Sequence, residues 1–241
     1  METERNIEAW NQQVKNGGYY YLTKESEARK QIEEQITQKI KEILPYTSFT
    51  GKKILDAGCG TGEYSQEIAE YAKEVLGFDA AEEAIKKAQE SYKKENLTFQ
   101  KLNVYQLPFE KNTFDIVISR AILHHLYEPK KAIQELARVG KMLLIIETNG
   151  INPYRQIASR FSKEYKTVEE GIIYKSFLRK ALKKEGYTIL KDTYCTFVPP
   201  ITPNSALPTM VKIEKYIEKT ALKKIICGTY IVLATKENIN P

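Results

Sequence analysis

Short runs of β-branched and apolar residues alternate with helical patterns through the first two-thirds of the chain. KKILDAG, KEVLGFD, LTFQKLNV, FDIVISR and KMLLIIET read as strands. Between them, EYSQEIAEYA, AEEAIKKAQESYKKE and PKKAIQELARV repeat apolar positions at helical spacing. Parallel strands need a crossover connection and a helix supplies one. The alternation therefore predicts an α/β fold with a parallel, doubly wound sheet and helices on both faces. Two later runs, YTILKDTYCTF near 187–197 and IICGTYIVLAT at 225–235, bring the expected strands to seven. Ligands in such sheets bind beyond the carboxyl ends of the strands, so the residues just after each strand matter most.

The flanking segments set the expected organisation. A helix is expected over about 25–45 (ESEARKQIEEQITQKIKEIL), stopping at Pro45, and GGYYYL at 17–22 reads as a glycine hinge with a tyrosine cluster. Residues 1–50 are thus expected to be an N-terminal helical arm or lid, and 51–241 the main domain. Segments near 148–168 and 198–223 fall outside the repeating pattern and are candidates for a substrate cover. The second contains a Pro-rich stretch, VPPITPNSALPT, and then a helix expected over MVKIEKYIEKTAL. Its apolar residues, Phe197, Val198, Ile201, Leu207, Met210 and Val211, suit a lipid or aromatic ligand, or simply pack the cover on the sheet.

The net charge of +6 comes from 37 Lys and Arg against 31 Asp and Glu, spread along segments such as KKAQESYKKE and RKALKKEGY. Such scatter reads as solvated helix faces, so no nucleic-acid partner is expected. The three cysteines, Cys59, Cys195 and Cys227, are far apart and lack ligand spacing. They are expected to be reduced thiols in a cytoplasmic protein with no metal site. No apolar run approaches the length of a membrane span and the N-terminus is polar, so neither stable membrane insertion nor a targeting segment is expected.

Strand ILDAG runs directly into CGTGEYSQEIAEYA, a tight loop opening a helix. Glycines at 58, 60 and 62 allow close backbone approach to a ligand. A dinucleotide fingerprint needs a third glycine at 63, which is Glu, and a P-loop needs a Gly-Lys-Ser/Thr that does not follow.

The motif DAGCGTG resembles the first motif of the class I S-adenosylmethionine-dependent methyltransferases, and the resemblance runs in family order from about 52 to 147. It implies a Rossmann-like seven-stranded, mostly parallel sheet. It also implies S-adenosylmethionine as cofactor, S-adenosylhomocysteine as its product, and cofactor contacts from Asp56, Gly58, Cys59, Gly60 and Gly62. Asp79, ending EVLGFD, matches the carboxylate that accepts from both ribose hydroxyls, with Ala80 beside it; two acceptor oxygens suit two vicinal donors. LNVYQLPF resembles the stretch that holds adenine, with Asn103 where the family commonly has Asp and Val104 offering its backbone amide. FDIVISR places Ser119 near the methionine part of the cofactor.

The chain's only two histidines, His124 and His125, follow the fourth expected strand in RAILHHLYEP. A neutral imidazole is a suitable base for an alcohol acceptor. A similar pair occurs in small-molecule O-methyltransferases, some with a carboxylate after the fifth strand, where this chain has Glu147. The expectation is that His124 or His125 takes the acceptor's proton, with Glu147 orienting the ring or holding a hydroxyl; the alternative is that the pair merely fits the turn. INPY at 151–154 reads as a turn opening a helix, and Arg120 and Arg155 as exposed surface arginines by default, with anion anchors as the alternative. The activity these features suggest is methylation of a small hydroxylated molecule (sugar, polyketide, lipid or quinone-type). An RNA or protein methyltransferase, or a cofactor-binding protein without chemistry, are the alternatives. The oligomeric state is left open.

Overall fold

Strands buried on both faces need a layer on each side, and the central strands here are of that kind. The computed structural model describes residues 2–16, 26–161 and 171–236. Seven strands form one sheet: β1 (Lys53–Ala57), β2 (Glu74–Asp79), β3 (Leu97–Lys101), β4 (Phe114–Arg120), β5 (Gly140–Thr148), β6 (Thr188–Cys195) and β7 (Thr229–Thr235). Their order is β3-β2-β1-β4-β5-β7-β6. β1 to β5 pair in parallel, and β7 lies antiparallel between β5 and β6. The seven-stranded, mostly parallel Rossmann-like sheet expected from the sequence is the one observed.

Nine helices are described: α1 (Glu2–Lys15), α2 (Glu27–Ile43), α3 (Glu63–Ala69), α4 (Glu82–Ser91), α5 (Pro129–Val139), α6 (Pro153–Phe161), α7 (Lys175–Lys184), α8 (Leu207–Ile217) and α9 (Lys223–Ile226). Successive strand residues point to opposite faces. Leu55, Ala57, Val117, Leu143 and Ile145 therefore meet Ile133 and Leu136 of α5 and Leu178 and Leu182 of α7. Ile54, Ile116, Ile118, Leu144 and Ile146 face the other way, onto Ile36 and Ile40 of α2, Ile68 of α3 and Ile85 of α4. Each core Leu or Ile contributes about 1.5–3 kcal/mol by leaving water, so the two layers rather than helix propensity hold the elements in place.

Local signals explain the ends. The Ser26 hydroxyl accepts from Arg29 N–H at 3.2 Å, capping α2, which closes two residues before Pro45. Pro129 opens α5, where no intrahelical donor is needed. Two expectations need correction. The last strand starts at Thr229 rather than at Ile225, because residues 223–226 turn into α9. The helix expected at 210–222 begins at Leu207, with a proline in its first turn, and ends at Ile217. The glycine hinge and tyrosine cluster at 17–22, and the part of the first cover segment at 162–168, lie outside the described residues.

Candidate functional site

Sheet order reverses between β1 and β4, and the residues following both strands meet there. The loop after β1 folds back on β2: Gly58 and Cys59 donate to the Phe78 carbonyl at 2.8 and 2.9 Å. Gly58, Gly60 and Gly62 all take positive φ, at 72°, 56° and 90°, a region costly to residues with a Cβ. Two of them also answer to packing. A Cβ on Gly58 would stand 2.0 Å from Ile122 Cγ2, and one on Gly62 would stand 2.7 Å from Phe99 Cζ. Close approach to the chain's own side chains, not to a ligand alone, thus requires glycine at 58 and 62.

Asp79 ends β2 and braces the loop from the other side. Its Oδ2 accepts from Gly60 N–H at 3.0 Å and its Oδ1 from Ala81 N–H at 2.8 Å, while burial pushes its carboxyl above the usual range. The Ala80 N–H bears on the carboxyl as well, and one of the carboxylate's four lone pairs is left over. Ala80 is half-buried beside it. Asp56 is buried and accepts from the Ser65 hydroxyl at 2.6 Å; burial raises its pKa to about 6. The Cys59 thiol is buried and held far above its ordinary value by burial, so this residue offers its backbone rather than a nucleophile. Asn103 is exposed, and its Oδ1 accepts from Tyr105 N–H at 2.9 Å, which leaves one lone pair on that oxygen; Val104 is buried behind it. Ser119, opposite Ala57 at the end of β4, is fully buried and its Oγ has no hydrogen-bond partner among the described residues.

Beside this loop is a cavity of about 240 Å³ between Glu33 and Thr37 of α2 and Gly58, Cys59, Tyr64 and Arg120. Arg120 is not the exposed arginine expected from sequence. It pairs with Glu33 and its guanidinium lies 5.0 Å from the Tyr64 ring centroid. S-adenosylmethionine fits these groups: the glycine loop, a braced carboxylate with spare acceptor capacity, an unpartnered buried hydroxyl and an adjoining cavity occupy the strand ends where its parts would lie.

The two histidines sit on a 3-10 turn after β4 (Leu123–His125). His124 is 4% exposed, and its Nδ1 lies 2.7 Å from Glu147 Oε2. The other Glu147 oxygen accepts from Leu123 N–H, also at 2.7 Å, so one carboxyl ties the turn to the end of β5. Burial raises that carboxyl to about 7. The His125 ring packs on His124 at 4.0 Å between centroids, and burial, then the neighbouring His124, depresses its pKa well below 6.5. His125 Nδ1 is buried without a hydrogen-bond partner among the described residues.

Arg155 corrects a second expectation. It is 6% exposed and donates from Nη2 to the Gly171 carbonyl at 3.1 Å, and Gly171 N–H in turn donates to the His124 carbonyl. INPY does open a helix as expected, because Asn152 Oδ1 caps Arg155 N–H at 2.9 Å. The site also draws on residues that sequence reasoning passed over: Trp10, whose ring meets His125 edge-on at 4.8 Å, Asn6, which donates to the His125 carbonyl at 3.2 Å, and Ile122 under Gly58. A lone tryptophan in an amphipathic N-terminal helix was the one available signal.

Residues 55–142 match the family model described as Methyltransferase domain. An uncharacterized methyltransferase of Schizosaccharomyces pombe is 38% identical over 110 residues, 41% of this chain and 39% of its own length. The chain spans only about two-fifths of the length of the first curated relatives it matches (39% and 40%). The O-methyltransferase resE of Aspergillus sclerotiorum is 26% identical over 188 residues, covering 73% of this chain and 69% of that protein. Among solved structures, magnesium protoporphyrin IX methyltransferase from Synechocystis with bound S-adenosylmethionine superposes with a TM-score of 0.65 at 18% identity, covering 98% of each chain. Domain match, strand order and glycine loop agree: residues 55–142 match a methyltransferase domain, and they sit in a sheet of the Rossmann-like methyltransferase type.

Proposed function

We propose that the protein is an enzyme that moves the methyl group of S-adenosylmethionine to an oxygen or carbon of a small hydroxylated acceptor, a sugar, polyketide, lipid or quinone-type molecule. The observation that carries this reading is the buried contact between His124 Nδ1 and Glu147 Oε2 at 2.7 Å, on the ligand side of the sheet. The likeness to an O-methyltransferase over 73% of the chain is in keeping with an oxygen acceptor.

Bound S-adenosylmethionine supplies an activated sulfonium methyl, so the protein's task is alignment and removal of a proton. Asp79, with Ala80 beside it, holds the ribose hydroxyls. Asn103 and Val104 meet adenine. Asp56, Gly58, Cys59, Gly60, Gly62 and Ser119 surround the methionine end. His124 donates Nδ1–H to Glu147, which fixes the tautomer and leaves Nε2 as the acceptor of the hydroxyl proton. His125, kept neutral by burial, backs the ring without adding a competing charge.

Calorimetric titration with S-adenosylmethionine and S-adenosylhomocysteine tests the cofactor half, comparing the native protein with Asp79→Ala. A loss of about 100-fold in affinity is expected from removing a doubly used carboxylate, about 3 kcal/mol. A screen of hydroxylated acceptors for release of S-adenosylhomocysteine, with His124→Gln as control, tests the rest. Turnover that survives His124→Gln undiminished removes His124 as the base, and native protein that binds neither cofactor form removes the function.

A further inference from the structure

We propose that Trp10, the chain's single tryptophan, is a positioning residue of the acceptor site: its indole sets the ring of His125, which packs on the ring of His124. The reading rests on the proposed role of the histidine turn.

Four contacts tie α1 across the site's mouth. Near its start, Asn6 is buried and donates to the His125 carbonyl. One turn on, the Trp10 ring stands at 75° to the His125 ring. Beyond it, Asn11 Oδ1 accepts from Glu83 N–H at 3.1 Å, in the first turn of α4. Val14 then buries itself against Ala81 and Ala84. Residues at 6, 10 and 14 share one helix face, so this face spans from the histidine turn to the segment that follows Asp79.

Such a helix does two things. It links the histidine turn to the segment after Asp79, and it fixes an imidazole that nothing else among the described residues holds by its ring nitrogens. His125 has its Nδ1 buried and unpartnered, so ring packing is what sets its orientation, with Trp10 on one side and His124 on the other. His124, by contrast, is pinned through Glu147. Removing the indole would open one face of His125 to water and free the ring to rotate.

The composition makes this directly measurable, because a protein with two histidines gives two separable imidazole signals in NMR. The groups that bear on His125 electrostatically are His124, Glu147 and Arg155, and none of them changes in the variants used. Ring titrations are recorded for the native protein, Trp10→Ala, Trp10→Phe and Val14→Ala, each with its thermal midpoint. In Trp10→Ala the His125 midpoint should rise by about one pH unit or more toward its ordinary value as the ring is rehydrated. Trp10→Phe should keep the native titration, and Val14→Ala, which loosens α1 at its far end, should lower the thermal midpoint without moving His125.

A native titration in Trp10→Ala overturns the proposal. So does an equal shift in Val14→Ala, which would make the effect one of helix docking alone. Should Trp10→Ala fail to fold, Asn6→Ala with Trp10→Phe carries the same comparison. The titration does not depend on turnover: a shifted His125 in a protein that methylates nothing defeats the proposed function and leaves the positioning role standing.

Discussion

Replacing Glu147 by Gln should change how stability depends on pH, by an amount the site itself sets. The Glu147 carboxyl is buried at the end of β5 and titrates at about 7 instead of its ordinary 4.5. A carboxyl whose folded pKa is raised stabilises the fold fully below 4.5, and this contribution is lost as pH rises through 7. Holding the proton across that interval is worth about 3 kcal/mol at ~1.4 kcal/mol per pH unit, most of which falls between about pH 5 and about pH 8. Gln keeps an oxygen for Leu123 N–H and never ionises; its amide can donate to His124 Nδ1 once that ring takes the opposite tautomer. His125 acts with the opposite sign: its depressed pKa gives stability that is present above 6.5 and lost as pH falls. Both proteins contain His125, and removing the Glu147 charge depresses it further, which adds to the variant's gain in the same direction. Urea unfolding of native protein and Glu147→Gln at several pH values should therefore show the variant gaining on the native protein by about 2–3 kcal/mol from about pH 5 to about pH 8. Two stability curves that run parallel within about 0.5 kcal/mol would refute a raised Glu147.

Gly58→Ala combines a positive φ with a Cβ 2.0 Å from Ile122 Cγ2 and should cost about 2–5 kcal/mol in urea unfolding. Adding Ile122→Ala should return part of that, and no recovery would mean that backbone strain alone is responsible. Leu136→Ala empties a fully buried site between α5 and the sheet and should cost about 2–5 kcal/mol by the same assay, with cofactor affinity unchanged.

The layers of the fold were legible because they follow from short-range periodicity. The short apolar run in FDIVISR and the spacing of Ala132, Ile133, Leu136 and Ala137 are local facts with one economical packing. The glycine loop and Asp79 were legible for a similar reason, since strand-end chemistry is written in consecutive residues. What remained hidden depends on distance along the chain. Asn6 and His125 are 119 positions apart, and no pattern in either segment indicates the other. Arg155 reads as a surface residue by type, and a partner such as the Gly171 carbonyl, 16 positions away, is what a sequence does not show. The reason for Gly58 was hidden too, because the packing of Ile122 against it comes from a different strand-end turn. The end of α9 illustrates a local ambiguity: the apolar run from Ile225 continues smoothly into β7, and Gly228 N–H, tied to the Thr196 carbonyl at 2.7 Å, marks a break that hydrophobicity does not.

The placement of β7 dictates the order in which the molecule can be assembled. This strand comes last in the sequence of strands yet lies inside the sheet, pairing Ile145 with Val232 on one side and Thr193 with Ile231 on the other. Every one of its seven residues is buried. A nascent chain that has delivered β5 and β6 therefore still has a raw apolar edge along LLIIE, and β6 has no strand to lie against. The β5 edge and β6 must wait, open and prone to misassociation, until residues 229–235 slot into the gap, so the sheet is completed by an insertion event rather than by the addition of an outer strand.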